Sequence, residues 1–546
     1  MSLKSLFPLI SIVLLASCGG VTPTTSSEPS TSVIPSSSET TSSCEALRVE
    51  DLALNVYGDN NEISILNALE GESFEYTFAG DSIRIEEDKV IAVRGASETE
   101  VTVNSSFGRT GKFSVSVASR RYRSTHENAE TNEGWFNDVN IQKVENMTSS
   151  FANGIDISSL KQLYDNGQRF YNKDGVENSL LYILKDAGVN WVRLRVWNEP
   201  FDTYEEDGET KTFQYGGGNC TNENMAWIAH EAKEAGLKIL LNFHYSDFWC
   251  DPSNQIVPKA WANIANSDEM ALAIKNFTKE SLLYFESRDA LPDAVAIGNE
   301  ITSGLLIHNP GSGVTTVPTG SEPLYSSERT DRWNGTEARF KNTGNKADNV
   351  NLRKYLKAGV DAVNEVNPSI LKMVHFVKGF SDPNTTINFV KVIDDLGFDI
   401  LGLSAYPSLH YINKQTLSNG LNTISDALPS GMQVAIAEIS YGFTYETDAN
   451  AANSFHAGAV RGEQGPVSSY AVSIQGQANC VRDASEVVAN LSNGFGVFYW
   501  EGAWTPTKQS GWADAASMVT WANQAFFSYN GKALGSLEVY NKMLGK

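Results

Sequence analysis

Several things are scarce in this sequence, and each scarcity excludes something. Cysteine is rare, five in 546 residues; there is no CxxC and no Cys/His cluster, which argues against a structural zinc centre. Cations are outnumbered, 42 Lys and Arg against 65 Asp and Glu, for a formal net charge of −23. Nucleic-acid binding draws on clustered Lys and Arg that displace counterions, so no nucleic-acid partner is expected. Acidity of this kind chiefly serves solubility. Beyond the N-terminus, no stretch approaches the ~18 unbroken apolar residues of a membrane-spanning helix. What is present is ordinary: 41% hydrophobic and 20% charged residues. That suffices for a sizeable core in two to four domains, or fewer where an α/β barrel takes about 250 residues for itself.

The N-terminus reads as an export signal. Lys4 precedes the apolar run Leu6 to Ala16, too short to span a bilayer but suited to a signal-peptide core. The run ends in Leu15-Ala16-Ser17-Cys18 followed by two glycines, which resembles a bacterial lipobox with Cys18 as the lipidated residue. An ordinary signal peptide followed by an incidental cysteine is the alternative. Residues 1–18 are therefore expected to be a lipoprotein signal and 19–44 a disordered linker. Val21 to Ser43 is almost wholly Ser, Thr and Pro, a composition that buries too little apolar surface to fold. The expected location is the bacterial cell envelope or surface, with the membrane reached through the anchor.

Residues 45–120 read as short strands, among them Ile83–Ile85, Val90–Val93, Glu100–Val103 and Phe113–Val117, between Gly, Asp and Asn turns. This pattern predicts a small all-β sandwich, similar to bacterial immunoglobulin-like modules. It shows no aromatic platform, so a spacer is expected rather than a carbohydrate-binding role. Residues 121–150 form a polar join. From 151 to 546 apolar strands alternate with helical stretches, the signature of repeated βα units. Eight strands are expected, at Gly154–Ile157, Trp191–Val196, Lys238–His244, Ala294–Glu300, Leu371–Phe376, Asp399–Tyr406, Val434–Glu438 and Gly496–Trp500. Helices are expected at Asn178–Asp186 and Asn224–Ala235, and a long loop at His308–Asn349. The whole predicts an α/β fold, a (β/α)₈ TIM barrel.

Barrel enzymes carry their chemistry at the C-terminal strand ends. Those positions hold Asp156, Arg195, Trp197, His244, Asp247, Asn299, Glu300, Tyr406, Glu438 and Trp500. By strand parity Arg193, Arg195 and Trp197 face the axis, a costly placement for arginines unless carboxylates meet them. Parity likewise groups Glu438 with Ile436 and Val434, and Glu300 with Gly298 and Ala296. Two glutamates ending strands four and seven of an apolar barrel fit glycoside hydrolysis by retention, which needs two carboxyls about 5–5.5 Å apart. Trp197, Trp249, Tyr406, Trp500 and Trp504 near the rim offer rings on which sugars stack.

Specific blocks sharpen this. Gly154-Ile-Asp-Ile-Ser158, the run Asp186 to Pro200, Asn242-Phe-His-Tyr-Ser-Asp-Phe-Trp249, Ile297-Gly-Asn-Glu300, Ala437-Glu-Ile-Ser-Tyr441, Gln475 to Asn479 and Phe498 to Trp504 resemble glycoside hydrolase family 53. This family comprises endo-β-1,4-galactanases, retaining enzymes of clan A on (β/α)₈ barrels. The resemblance spans roughly residues 150 to 545, with the blocks in the family's order. It implies Glu300 as acid/base and Glu438 as nucleophile, and a substrate of (arabino)galactan side chains of pectin. It implies substrate-lining roles for His244, Tyr245, Ser246 and Asp247, and for Tyr406 and Trp500 around the cleaved sugar. No cofactor is implied for the chemistry. Arg195 is expected to keep Glu438 ionised, with Arg193 lower in the barrel.

Some readings stay open. Bacterial members of the family often hold a structural Ca²⁺ in a loop after strand seven with an Asp-x-Asp-x-His-x-Asn pattern and a later Ser-x-x-Asp. Here the loop reads Glu446 to Asn453 without a matching histidine, and the later pair aligns with Val519 and Ala522. Cys220 and Cys250 fall at one rim, where an oxidising exterior permits a bridge; Cys44 and Cys480 have no evident partner. The rival functions are another clan A endo-β-glycanase, a mannanase or cellulase, and a non-catalytic glycan-capture lipoprotein.

Overall fold

The computed structural model describes residues 45–122, 133–311, 329–377, 380, 382–410, 413–456, 470–513 and 517–546. The signal-peptide and linker expectations, with Cys18 and Cys44, lie outside them.

Eight parallel strands close into a barrel: β1 (Ala152–Asp156), β2 (Trp191–Val196), β3 (Lys238–Phe243), β4 (Ala294–Ile297), β5 (Leu371–Phe376), β6 (Ile400–Ser404), β7 (Gln433–Ile439) and β8 (Gly494–Tyr499). Each pairs with its neighbours in sequence, and β8 returns to β1. Alternation sets what each strand buries. In β2, Val192, Leu194 and Val196 join the large core shared with the helices, while Arg193 and Arg195 meet carboxylates across the barrel interior. The lower interior is hydrocarbon: Trp191, Leu240, Ala294, Ala296, Met373 and Phe498 among others. Space there is tight, since a Cβ on Gly154 would lie 2.1 Å from the Phe498 ring.

Strands β2 and β5 have the expected bounds; β4 stops three residues early. Gly298 takes φ +83° and Glu300 φ +50°, left-handed backbone that ends the ladder. Helices occur at Leu180–Asp186 and Asn222–Glu234, the second capped by the Thr221 side chain on the Asn224 N–H. The described parts of the long loop carry short ladders, His308–Asn309 with Thr330–Asp331 and Gly304–Leu305 with Ala338–Arg339.

Before the barrel, Leu52–Leu54, Phe74–Thr77, Ser97–Ser105 and Thr110–Val117 form one sheet, and Ile83–Glu86 with Lys89–Ala92 a hairpin. They share a core of their own, including Leu54, Val90, Val101 and Phe113. This segment is locked to the barrel: the buried Arg84 forms an ion pair with the buried Glu231, and the Tyr57 hydroxyl donates to the same carboxylate at 2.6 Å. The join is less polar than its composition implies, because Trp135, Val139 and Val144 enter the barrel's outer core.

Candidate active site

At the upper end of the barrel the interior turns from hydrocarbon to charge. Asp156 ends β1, Arg193 and Arg195 come from β2, His375 from β5, Ser404 ends β6, and Glu438 comes from β7; all are buried. Arg193 donates to Asp156 Oδ2 at 2.6 Å, to Glu438 Oε1 at 2.7 Å and to Asn299 Oδ1 at 2.9 Å. Arg195 instead pairs with Glu501, reaches Asp156 at 3.3 Å and donates to the Gly217 carbonyl at 2.7 Å. Its guanidinium lies 4.5 Å from the centre of the Trp249 ring and 5.5 Å from that of Trp500. The expectation that Arg195 serves Glu438 is thus corrected. Arg193 makes the contact, donating to Glu438 Oε1, while Arg195 acts on Glu438 only as a weaker charge.

A carboxyl oxygen of Glu300, one of Glu438 and a ring nitrogen of His375 all lie within 4.8 Å of one another. Glu438 reaches this point through an irregularity. Val434 and Ile436 pack outward and Ala435 and Ala437 inward, so simple alternation would send Glu438 out. Register breaks between Leu403 and Ser404 on β6 and between Ile436 and Ile439 on β7 re-aim it inward, a use to which β-bulges near active sites are put. Simple alternation therefore places Glu438 on the wrong face. Glu300 likewise reaches the cleft by its left-handed backbone, not by strand alternation.

The two carboxyls stand in different surroundings. Burial and then the charge of Glu438 push Glu300 well above the usual carboxylate range; a hydrogen bond donated by Ser404 would oppose this, Asp251 adds to it and Arg193 opposes it. Burial raises Glu438 as well, but Arg193 and Tyr406 oppose it. The Tyr406 hydroxyl donates to Glu438 Oε2 at 2.7 Å. Glu300 Oε1 lies 2.6 Å from Ser404 Oγ, which lies 2.9 Å from His375 Nε2. Both carboxyls are pushed up, Glu300 the further of the two, so Glu438 is the first to give up its proton.

His244 lines the same cleft, with Trp249, Asp251, Trp500, Trp512 and Trp521. Its Nδ1 accepts from Trp197 Nε1 at 3.1 Å and from the Cys250 N–H at 3.2 Å. Burial and then Arg195 hold its pKa well below the usual value, so the ring is neutral with its proton on Nε2. Trp512 stacks on Trp249, ring centres 4.4 Å apart. Of the expected residues, Glu300, Glu438, His244, Asn299, Tyr406 and Trp500 converge on the cleft, while Asp156, Arg195 and Trp197 support it from beneath. Tyr245 does not line it. With φ +58° its ring turns outward, stacks on Phe243 and meets Thr278 Oγ1 at 2.7 Å. Ser246 and Asp247 are fully buried, and Asp247 accepts the backbone N–H groups of Glu199 and Lys259, fixing loops. Trp504 is buried as well and donates to the Ser510 carbonyl. Glu501, Asp251, His375, Ser404, Trp512 and Trp521 were not singled out from sequence, although Glu501 directly follows Trp500 and His375 is the fifth residue of β5.

Cys220 and Cys250 are not bridged. Both are free buried thiols, one against the Gly217 carbonyl at 3.2 Å and the other against the His244 carbonyl at 3.5 Å. The Glu446 to Asn453 loop does not fit a calcium cage. Asn453 Oδ1 is buried without a hydrogen-bond donor, but Asp448 accepts the Asn450 N–H, and the buried Val519 and Ala522 place hydrocarbon where oxygen ligands are needed. Glu300, His375 and Glu438 are close enough to share a cation. Both His375 nitrogens are engaged, however, by Asn299 and Ser404, and Arg193 already neutralises Glu438.

Comparison with known proteins agrees with this chemistry. A family model described as glycosyl hydrolase family 53 matches residues 152–540. An endo-beta-1,4-galactanase of Bacillus subtilis (strain 168) is 32% identical over 437 residues, covering 74% of this chain and 88% of the relative. An arabinogalactan endo-beta-1,4-galactanase of Humicola insolens is 28% identical, covering 71% and 98%. Among solved structures, the Ignisphaera aggregans GH53 catalytic domain superposes with TM-score 0.61 at 33% identity, covering 74% of this chain and 99% of that one.

Proposed function

The chain belongs to glycosyl hydrolase family 53, and from that premise we propose that it cleaves internal β-1,4-galactosidic bonds of galactan with retention, Glu300 acting as acid/base and Glu438 as nucleophile. The observation that carries the assignment is the approach of one carboxyl oxygen of Glu300 to one of Glu438, within 4.8 Å. A retaining pair stands about 5–5.5 Å apart, whereas an inverting pair needs about 6.5–9.5 Å to admit water. Protonated Glu300 donates to the departing glycosidic oxygen while Glu438 attacks the anomeric carbon; Glu300 then takes a proton from the water that releases the sugar. Arg193 and Tyr406 hold Glu438 ionised for attack. His244 Nε2–H and the rings of Trp500 and Trp512 offer a hydroxyl contact and stacking faces to the chain, while Trp249 is held between Trp512 and the Arg195 guanidinium. The chemistry draws on the two carboxyls alone and calls for no cofactor.

Glu438→Ala and Glu300→Ala should each lose several orders of magnitude in kcat on pectic galactan, and near-wild-type activity in either sinks the assignment. Parallel assays on mannan, cellulose and xylan separate galactanase action from that of other clan A glycanases. The segment before the barrel we read as an immunoglobulin-like spacer. Cys18 we read as the lipid anchor of an exported envelope enzyme, with residues 19–44 as its tether; absence of labelled fatty acid at Cys18 in cells would refute the anchor.

A further inference from the structure

The hydrogen bonds behind Glu300 have a direction, and it follows from counting protons. Asn299 Nδ2 donates to the Cys250 carbonyl at 2.7 Å, which leaves Oδ1 on the other side, where it accepts from Arg193 and from Asn242 Nδ2 at 2.7 Å. Oδ1 has no hydrogen to give, so His375 Nδ1, 3.0 Å away, must donate to it. Burial and then Arg193 keep the His375 ring neutral, so its single proton is on Nδ1 and Nε2 carries a lone pair. Nε2 must then accept from the hydroxyl 2.9 Å away on Ser404. Ser404 has one hydrogen and has now used it. The 2.6 Å contact between Ser404 Oγ and Glu300 Oε1 is complete only if the proton comes from Glu300.

We propose that His375 and Ser404 form a positioning clamp that stabilises the protonated acid, with Glu300 Oε1–H donating to Ser404 Oγ and Ser404 O–H donating to His375 Nε2. This rests on the reading of Glu300 as the acid/base. When Glu300 has given its proton to the leaving group, the Ser404 hydroxyl must swing to Oε1. His375 Nε2 then faces an oxygen lone pair with no hydrogen between them. Reprotonation of Glu300 by the incoming water restores the full set. No proton passes through His375; only the hydroxyl turns. The other charged groups facing Glu300 are Glu438 and Asp251, which also favour its proton, and Arg193, which opposes it. Tyr406 stays a neutral donor to Glu438. The clamp therefore works in the same direction as the two acidic neighbours, through geometry and not through charge.

The sign of one measurement decides the matter. The alkaline limb of the kcat/KM profile reports Glu300 losing its proton in the free enzyme. If Ser404 merely donated to an ionised Glu300, Ser404→Ala would move that limb up. The clamp predicts that it moves down, by ~1 unit, the worth of one neutral hydrogen bond. His375→Phe should move it down as well, since it frees the Ser404 hydrogen for the carboxylate. Because His375→Phe perturbs a packed interior, ¹⁵N NMR of the unsubstituted full chain gives a second reading, in which His375 should be protonated on Nδ1 and bare on Nε2. A limb that stays or rises in Ser404→Ala, or an Nε2–H ring, overturns the clamp. Glu300→Gln separates the two claims. If the variant keeps activity and its alkaline limb, the acid/base reading itself has failed; if it loses both while Ser404→Ala leaves the limb in place, only the clamp has.

Discussion

Replacing Arg193 by glutamine tests the electrostatic assignment where sequence and structure disagree. Arg193 supplies the donor on Glu438 Oε1 at 2.7 Å, while Tyr406 supplies the one on Oε2. A hydrogen bond to a charged group contributes about 1.5–3 kcal/mol, which at ~1.4 kcal/mol per pKa unit is about 1 to 2 units. Losing it raises the pKa of Glu438, and since only the ionised carboxylate attacks, the acid limb of kcat/KM should move up by that amount. Arg195 touches Glu501, Asp156 and the Gly217 carbonyl but not Glu438, so Arg195→Gln should displace the acid limb much less. Either variant leaves a buried carboxylate short of a partner and should lose ~3–5 kcal/mol of stability. Thermal unfolding must therefore be recorded first and the pH profiles taken well below the transition. An unmoved acid limb in Arg193→Gln, or an equal displacement in Arg195→Gln, would refute the reasoning.

Two further outcomes follow from buried groups. Burial pushes Asp247 up to about 6. Its contribution to folding is therefore full below the unfolded value of about 3.9 and is lost as pH rises through 6, ~3 kcal/mol in all. Urea unfolding at pH 4 and pH 7 should show a smaller loss in Asp247→Asn than in the unsubstituted chain, and an equal loss would count against the shift. Alkylation of the unfolded chain without reductant should modify Cys220 and Cys250, and recovery of a peptide pair joined through them would contradict the two free thiols.

The barrel was legible because its strands are short β-branched or aromatic runs between helical stretches, and the ends of those runs carried both glutamates. Side-chain direction was legible only where the backbone stays regular. In β2 alternation holds, and both arginines point inward as expected. In β7 the run Val434-Ala-Ile-Ala-Glu438 contains no glycine or proline to mark the bulge, so the re-aiming of Glu438 leaves no trace in the sequence. Tyr245 was misplaced for a related reason. Its left-handed backbone turns it out of the cleft, and nothing about a tyrosine after a histidine announces a positive φ. Which of the two arginines meets Glu438 could not be read from one strand, because it depends on where the β7 carboxylate sits against β2, a relation between strands. Glu501 was hidden by its position, one residue past Trp500, where a carboxylate reads as a loop residue until Arg195 is seen beside it.

The arrangement of charge supports the proposed placement of the proton on Glu300. Two guanidiniums, Arg193 and Arg195, face three carboxyls within one hydrogen-bonded network, Asp156, Glu438 and Glu501. Asp156 is shared between both arginines, Glu501 is held by Arg195 and Glu438 by Arg193, so the network holds one more carboxyl than it has guanidiniums. A further charge on Glu300, within 4.8 Å of Glu438 and equally enclosed, would interact strongly in a site with little water to screen it. Keeping Glu300 neutral avoids that repulsion in the resting enzyme. In the proposed mechanism it also leaves Glu438 as the carboxylate facing the anomeric carbon, where positive charge develops in the oxocarbenium-like transition state. The hydrocarbon floor beneath, from Trp191 to Phe498, keeps this network from relaxing into solvent. The same burial that makes the arginines costly therefore amplifies the difference between the two glutamates that the proposed roles require.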